Sequence, residues 1–351
     1  MPINKLKYIL GLESSCDETA ASIIKIDQKT KKVSVLSNII SSQIEIHKKY
    51  GGVVPEVAAR EHVLNVLPVI NEALEKANIN EKEIDLIAVT KGPGLITSLI
   101  TGMETARTLS FAWQKPVLEI NHIEGHIYSN FINLEKPLKF PAIILTVSGG
   151  HTNLILMDKN QKIKIIGETL DDAAGEAYDK GAKMLGLGYP GGPLVAQAAN
   201  EFKKTNKKTE IDLPRPMLNA PNFNFSFSGL KTALLYSLQK DKNWHKKINE
   251  YCFAYQEAII EILIKKSIKA AKKYDAQTIM LSGGVSANEE LRNKMSEAVK
   301  IDFPKVQFLI PEKQYTTDNA AMIATAAAFL VNKRKTTSFS KLKVDPSLQL
   351  K

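Results

Sequence analysis

Short apolar runs alternate with helical stretches along this chain. Tyr8–Leu12 and Ala20–Ile24 flank a small acidic turn, Glu13-Ser-Ser-Cys-Asp-Glu18, and so predict a β-hairpin. A third run, Val33–Ile40, extends the sheet. Arg60–Ala77 has the apolar spacing of a helix. Asp85–Thr90 reads as a buried strand that breaks at Gly92-Pro-Gly94, and Leu95–Trp113 resumes as a helix. Strand, glycine turn and helix make an α/β unit. Ala142–Met157 repeats the opening logic, with a strand, a turn of small residues and a second strand. Thr278–Ser282 is another strand ending in glycines, followed by a helix to about Val299. Two comparable hairpins, each heading an α/β region, predict an internally duplicated fold. Residues 200–232, with Pro214, Pro216 and Pro221 among Lys runs, predict a loop-rich insertion. Residues 336–351 read as a basic, weakly ordered tail.

Composition narrows the class. The 351 residues suffice for two domains, and 44% apolar with 24% charged residues is ordinary for a soluble globular protein. No stretch approaches the apolar length of a membrane span. Met1–Lys7 lacks the hydrophobic region of a signal peptide. The two cysteines, Cys16 and Cys252, have no CxxC spacing, so a reducing, cytoplasmic setting is expected. A net charge of +10 permits an anionic partner of tRNA size without requiring one.

The chemistry starts at His122-Ile-Glu-Gly-His126. Residues four apart on a helix share a face, so two imidazoles here can hold one ion. Metallopeptidases put Glu directly after the first His; here that position is Ile123 and the carboxylate is Glu124. Two unrelated helical histidines remain an equal alternative on spacing alone. Asp318 begins an alanine-rich helix, where it can cap the helix, supply a third ligand, or both. Gly149-Gly150, Gly191-Gly192 and Gly283-Gly284 let backbone N–H groups approach an anion. Ser148 and Thr152 add hydroxyls, and Asn288 can reach a sugar or base. Together they predict a nucleotide cleft between two lobes. Asp17 and Glu18 are the remaining acids expected to face it.

The order of blocks resembles the TsaD family. They are Glu13–Thr19, Tyr50–His62, Gly92–Leu95, Arg107–Leu118, His122–Ile127, Val147–Thr152, Asp171–Lys180, Tyr189–Pro193, Phe225–Thr232, Gly283–Asn288 and Thr317–Asn319. Thr97 departs from the pattern, where bacterial relatives usually carry Gly. The resemblance implies a duplicated, two-lobed actin/Hsp70/sugar-kinase-like (ASKHA) α/β fold. Lobe I would comprise 1–117 plus 312–335, and lobe II 118–311. It implies transfer of a threonylcarbamoyl group from threonylcarbamoyl-AMP to N6 of adenosine 37 in tRNAs reading codons that begin with A. By matching positions, His122, His126 and Asp318 would hold a divalent metal, Fe2+ or alternatively Zn2+. Thr146, Val147, Ser148, Gly149, Gly150, Asp179, Gly192 and Asn288 would hold the adenylate. A TsaB-like paralogue and a TsaE-like ATPase are implied as partners. Asp17 is our candidate for accepting the amine proton. The Lys-rich segment near 203–208 and the basic tail are the expected tRNA face. A metal-dependent endopeptidase, or an ATP-binding scaffold of the same fold, is the alternative.

Overall fold

The computed structural model describes residues 6–27, 29–30, 32–205 and 208–350. Lys207, in one of the basic runs, and Met1–Lys5 lie outside the described residues. The chain divides into two compact units, Met1–Pro137 with Pro311–Lys351, and Leu138–Ile310.

In order, the chain forms β1 (Tyr8–Glu13), β2 (Glu18–Ile26), β3 (Val33–Ser42), α1 (Ile44–Lys48), α2 (Pro55–Ala77), β4 (Leu86–Gly92), α3 (Ile96–Trp113), β5 (Val117–Asn121) and α4 (His122–Tyr128). The second unit contains β6 (Ala142–Val147), β7 (Thr152–Met157), β8 (Ile163–Glu168), α5 (Ala174–Met184), α6 (Gly191–Thr205), α7 (Ser228–Lys240), α8 (Ile248–Lys273), β9 (Thr278–Ser282), α9 (Glu289–Asp302) and β10 (Gln307–Leu309). The chain then returns to the first unit with α10 (Ala320–Leu330).

Each unit is built on one five-stranded sheet, in the orders β3-β2-β1-β4-β5 and β10-β9-β6-β7-β8. In both, three strands form an antiparallel meander and two more add in parallel beside its first strand. The two sheets therefore have one topology, as the paired hairpins predict. β1, β4, β6 and β9 are central and nearly all apolar, because both of their faces are covered. The first hairpin's apolar residues pack under α2 and α3, with Leu10, Leu12, Ile23, Val69 and Met103 in one cluster. α2 starts at Pro55 rather than Arg60. Pro55 and Glu56 at its start are exposed and only Ala58 of the first turn is buried, so the apolar spacing is weak there, although Pro at a helix start is favoured. α3 runs unbroken through exposed Thr97, so the missing glycine leaves the helix intact.

Two expectations about boundaries change. The first unit continues past residue 117, because β5 pairs with β4 and α4 packs on α10. Tyr128, Phe131 and Phe329 close that contact with an aromatic cluster. Residues 336–350 are not a loose tail. Thr337 pairs with Val117, Leu342 is buried, and the Asp345 N–H donates to the Lys91 carbonyl at 2.9 Å. The segment around 200–232 is partly irregular, but α6 and α7 enter it from either side, and Phe223, Phe225 and Phe227 anchor it in the core.

Candidate functional site

α4 begins where β5 ends, and Asn121 makes the switch. Its Oδ1 accepts from the Ile123 N–H at 2.8 Å, capping the helix one residue before His122. The i, i+4 spacing then sets both imidazoles on one face, with ring centroids 4.7 Å apart. Asp318 meets them from the loop before α10. The cap of α10 is Asn319, whose Oδ1 accepts from the Met322 N–H at 3.0 Å. Asp318 is therefore not the cap residue of α10. Its Oδ1 lies 3.1 Å from His126 Nε2 and 3.5 Å from His122 Nε2. One ligand atom from each of the three residues falls within 4.8 Å of the others. The structure thus brings together the two histidines and the acid, all within the first unit.

A second layer orients His122. Its Nδ1 sits 3.2 Å from Glu13 Oε2 and 3.1 Å from Ser15 Oγ. Glu13 is buried at the end of β1 and also accepts from the Ser15 N–H at 2.6 Å and Thr90 Oγ1 at 2.6 Å. A proton on Nδ1 facing Glu13 leaves Nε2 as the lone pair turned toward Asp318, the usual carboxylate–histidine–metal arrangement. Burial works against charge on His122, but Asp318 and Glu13 outweigh it and push its pKa up to about 9, so a metal binding at Nε2 would displace a proton there. Burial likewise opposes the Glu13 carboxylate, yet His122 and Ser15 hold it below its ordinary value. His126 differs: both ring nitrogens are buried and, among the described residues, neither makes a well-formed hydrogen bond, Nε2 facing only the Asp318 carboxylate. An orphaned buried nitrogen costs about 1–3 kcal/mol. A metal on Nε2 would relieve it, and the His₂Asp set suits iron or zinc. The residues present therefore fit a divalent metal. Glu13 escaped the sequence reading. The signal was there, as a carboxylate closing an otherwise apolar strand.

Glu124 is unavailable for water activation. Both of its oxygens accept from the Arg334 guanidinium, at 2.7 and 2.5 Å, and the carboxylate is buried. The peptidase reading loses its base.

The acidic turn is held on several sides. The Leu95 N–H donates to the Ser15 carbonyl at 2.8 Å, and the Gln43 N–H to the Asp17 carbonyl at 3.0 Å. His62 Nε2 bonds the Cys16 carbonyl at 2.9 Å, and its Nδ1 pairs with Thr19 Oγ1 at 2.7 Å. Burial lowers the His62 pKa, so the ring is neutral and Nε2 carries the proton. A side chain at Gly94 would bring its Cβ within 2.5 Å of the Ser15 carbonyl, which explains glycine there. Asp17 is buried in this turn. Burial, then the nearby Asp17 and Asp318 charges, raise the Glu18 pKa well above the ordinary value. Burial and the same acids raise the Cys16 thiol, which rules out a thiolate nucleophile.

The second unit holds the remaining candidates. Thr146 and Val147 end β6, with Thr146 Oγ1 2.9 Å from Ser282 Oγ. Ser148 turns the chain, its N–H donating to the His151 carbonyl at 2.8 Å, and Gly149 and Gly150 lie exposed at the tip. Gly175, in the first turn of α5, packs so closely that a Cβ would lie 2.6 Å from the Ser148 carbonyl. Gly283, with φ +85°, turns the end of β9 against the Val147 carbonyl, where a Cβ would lie at 2.3 Å. Asp179 Oδ1 accepts from the Gly191 N–H at 2.7 Å at the start of α6, beside Gly192. Asn288 caps α9 through the Leu291 N–H at 3.0 Å and donates to Gln256 Oε1 at 2.8 Å. The Gly149-Gly150 turn, α5 and the Gly283 turn thus converge on the end of β6. Asp179 reaches from α5 to the N-terminal end of α6, where Gly192 lies, and Asn288 caps α9; backbone N–H groups at helix starts favour anions.

Comparison with known proteins bears on this arrangement. The TsaD family, described as tRNA N6-adenosine threonylcarbamoyltransferase, matches residues 34–325. A protein of that name from Thermosipho africanus is 46% identical over 342 residues, covering 97% of this chain and 99% of its own. One from Syntrophomonas wolfei is 45% identical, covering 97% of each chain. Among solved structures, full-length HypF in its phosphate- and nucleotide-bound form aligns with a TM-score of 0.59 at 10% identity, over 95% of this chain and 47% of that one. The activator of the 2-hydroxyisocaproyl-CoA dehydratase from Clostridium difficile aligns with a TM-score of 0.52 at 13% identity, over 93% and 96%. These likenesses concern the fold, which is the two-lobed α/β fold of the actin, Hsp70 and sugar-kinase type.

Proposed function

The chain belongs to the tRNA N6-adenosine threonylcarbamoyltransferase family and is a transferase, and from that premise we propose the reaction its residues carry out. The observation that carries the reading is the His122–His126–Asp318 cluster, set on a family match over residues 34–325. The product is tRNA bearing a threonylcarbamoyl group on N6 of an adenosine. The donor is threonylcarbamoyl-AMP, and the acceptor is adenosine 37 of tRNAs reading codons that begin with A.

The N6 amine is a weak nucleophile, because its lone pair is delocalised into the purine. It attacks the carbamoyl carbon, the bond from that carbon to the phosphate oxygen breaks, and AMP leaves with the electron pair. The protein therefore has to orient the amine, accept its proton and receive the departing adenylate. Asp17, buried in the clamped turn beside Glu18, is our candidate to accept the proton. Ser148, Gly149, Gly150, Asp179, Gly192 and Asn288, with Thr146 and Val147 behind them, receive the adenylate. His122, His126 and Asp318 would hold Fe2+ or Zn2+. A bound divalent ion supplies polarisation of the carbonyl and neutralises phosphate charge without redox change. An anticodon loop is single-stranded, so its base can be splayed out without melting a duplex.

A TsaB-like paralogue and a TsaE-like ATPase are the proposed partners. Exposed Val63, Leu64 and Leu67 on α2, beside exposed Ile96 and Ile100 on α3, form an apolar face of the kind that seeks a protein partner. No helix among the described residues is long and apolar enough to cross a membrane, and we propose a cytoplasmic setting.

The test is to incubate the chain and its partners with threonylcarbamoyl-AMP and unmodified tRNA, then analyse the nucleosides. Threonylcarbamoyladenosine is expected. Peptide cleavage or ATP turnover without modified nucleoside would overturn the reading.

A further inference from the structure

The chain is basic, yet among the described residues Lys203, Lys204 and Arg334 of its basic runs are each paired with an acid. Lys203 bonds both oxygens of Glu290, at 2.9 and 2.7 Å, and Lys204 pairs with Glu201 at 2.7 Å. In the C-terminal run, Arg334 is locked to Glu124. The segment between α7 and α8 is different. Lys240, Lys242, Lys246 and Lys247 are all exposed and cluster around a single acid, Asp241. Asp241 pairs with Lys247 at 3.2 Å. The other nearby carboxylate, Glu250, is turned to Thr209 Oγ1 at 2.9 Å and the Glu210 N–H at 3.2 Å. Lys240, Lys242 and Lys246 have no carboxylate partner among the described residues.

The same segment carries flat rings. Trp244 is half-buried against the core of the second unit, and His245 stacks on it with centroids 3.7 Å apart. His245 is exposed, as is Tyr236 on the last turns of α7. The platform is preformed. Asp241 Oδ1 accepts from the Asn243 N–H at 2.9 Å, the Lys246 N–H donates to the Asn243 carbonyl at 2.9 Å, and the Lys247 N–H to the Trp244 carbonyl at 2.8 Å. Tyr251 OH, on α8, reaches Asp241 Oδ2 at 3.3 Å.

We propose that residues 240–247, with Tyr236, are a contact surface for tRNA. Unpaired lysines neutralise phosphates, and an anchored ring stack receives an unpaired base. An acidic protein would satisfy the lysines but leave the exposed rings without a role, so RNA is the occupant the chemistry favours. The inference rests on the tRNA reading above and extends it to a second region of the chain.

The test measures binding of an unmodified tRNA transcript to the full chain with its partners across a salt series. Lys240→Glu, Lys242→Glu and Lys246→Glu together should weaken binding about tenfold or more near 0.15 M salt. They should also flatten the log–log salt slope by about 2. His245→Ala should weaken binding about fivefold and leave the slope unchanged, because stacking releases no counterions. At saturating tRNA both variants should transfer at the wild-type rate, so the effect falls on KM and not kcat. A wild-type affinity and slope in the triple variant would overturn the inference. So would unchanged tRNA binding accompanied by loss of a protein partner. Wild-type protein that binds no tRNA and makes no modified nucleoside would instead bring down the function reading itself.

Discussion

At the residue scale, the candidate metal site depends on a group outside its three ligands. Glu13 holds His122 in the orientation that offers Nε2. Glu13→Gln keeps the shape but weakens the acceptor, so metal affinity should fall about 10–100-fold with the melting curve little changed. Competition with a calibrated chelator reads this directly, and an unaltered dissociation constant would remove Glu13 from the site. Asp17 makes a separate claim. If it accepts the amine proton, Asp17→Ala should slow transfer from pre-made threonylcarbamoyl-AMP by about 10²-fold or more while metal content stays full. Transfer at the wild-type rate would end that role. A pH effect belongs to the second unit, at Asp172. Burial opposes its charge, but Lys180 and Lys231, at 2.6 and 3.0 Å, hold its carboxyl below the ordinary 3.8. A depressed folded pKa stabilises the native state above the unfolded value, and this is lost as pH falls through the folded value. The stability gap between wild type and Asp172→Asn should therefore be constant near neutrality and shrink below about pH 4, as denaturant melts at several pH values will show. His122, His126 and Asp318 were legible in the sequence because spacing and helix position mark them. Glu13 was not, because its role is a contact across the fold, and the true cap, Asn319, was not, because its neighbour Asp318 is an equally good capping residue.

At the element scale, the meeting of β1 and α10 places Asp318. α10 is buried almost all round and lies against β1, where Gly11 leaves no room for a side chain. A Cβ on Gly11 would lie 2.3 Å from the Ala320 carbonyl and 3.0 Å from the Ala324 N. Those are backbone atoms, so the first turn of α10 would have to move, and Asp318 with it. Gly11→Ala should therefore cost about 1–3 kcal/mol of stability and lower metal occupancy disproportionately. Elemental analysis of folded protein checks the second point, and full occupancy in a destabilised variant would show that Asp318 is positioned independently. The elements themselves were largely readable. β1, β4, β6 and β9 are apolar runs ended by turns, and their parallel or hairpin partners follow from what separates them. The helix starts were less readable. Pro55 and Glu56 at the start of α2 are exposed, and α10 begins after a cap that competes with an equally good neighbour.

At the scale of the whole molecule, the repeated hairpin made the duplication visible, but the boundary between the units was not. A boundary at residue 117 falls at the start of β5, whereas the first unit continues through β5 and α4 to Pro137. The C-terminal segment was misread for a related reason. Its lysines and proline suggest a loose end, while what fixes it lies far away in the chain. Arg107 donates to the Phe339 and Leu342 carbonyls. The Gly94 N–H donates to the Pro346 carbonyl at 3.2 Å, and the Asp345 carbonyl lies so near Gly92 that no side chain fits there. Gly94 also abuts the Ser15 carbonyl, so the C-terminal segment braces the glycine turn that clamps the acidic turn. Truncation after Lys335 should thus act on the first unit rather than on RNA affinity. Losing the buried Leu342 alone is worth about 2–5 kcal/mol, or a melting shift of roughly 4–20 °C for a unit of this size. Calorimetry, with tRNA binding measured well below the melt, separates the two readings. A lower melting temperature with unchanged tRNA affinity identifies the segment as a brace. An unchanged melt with weakened binding would restore it as a basic arm.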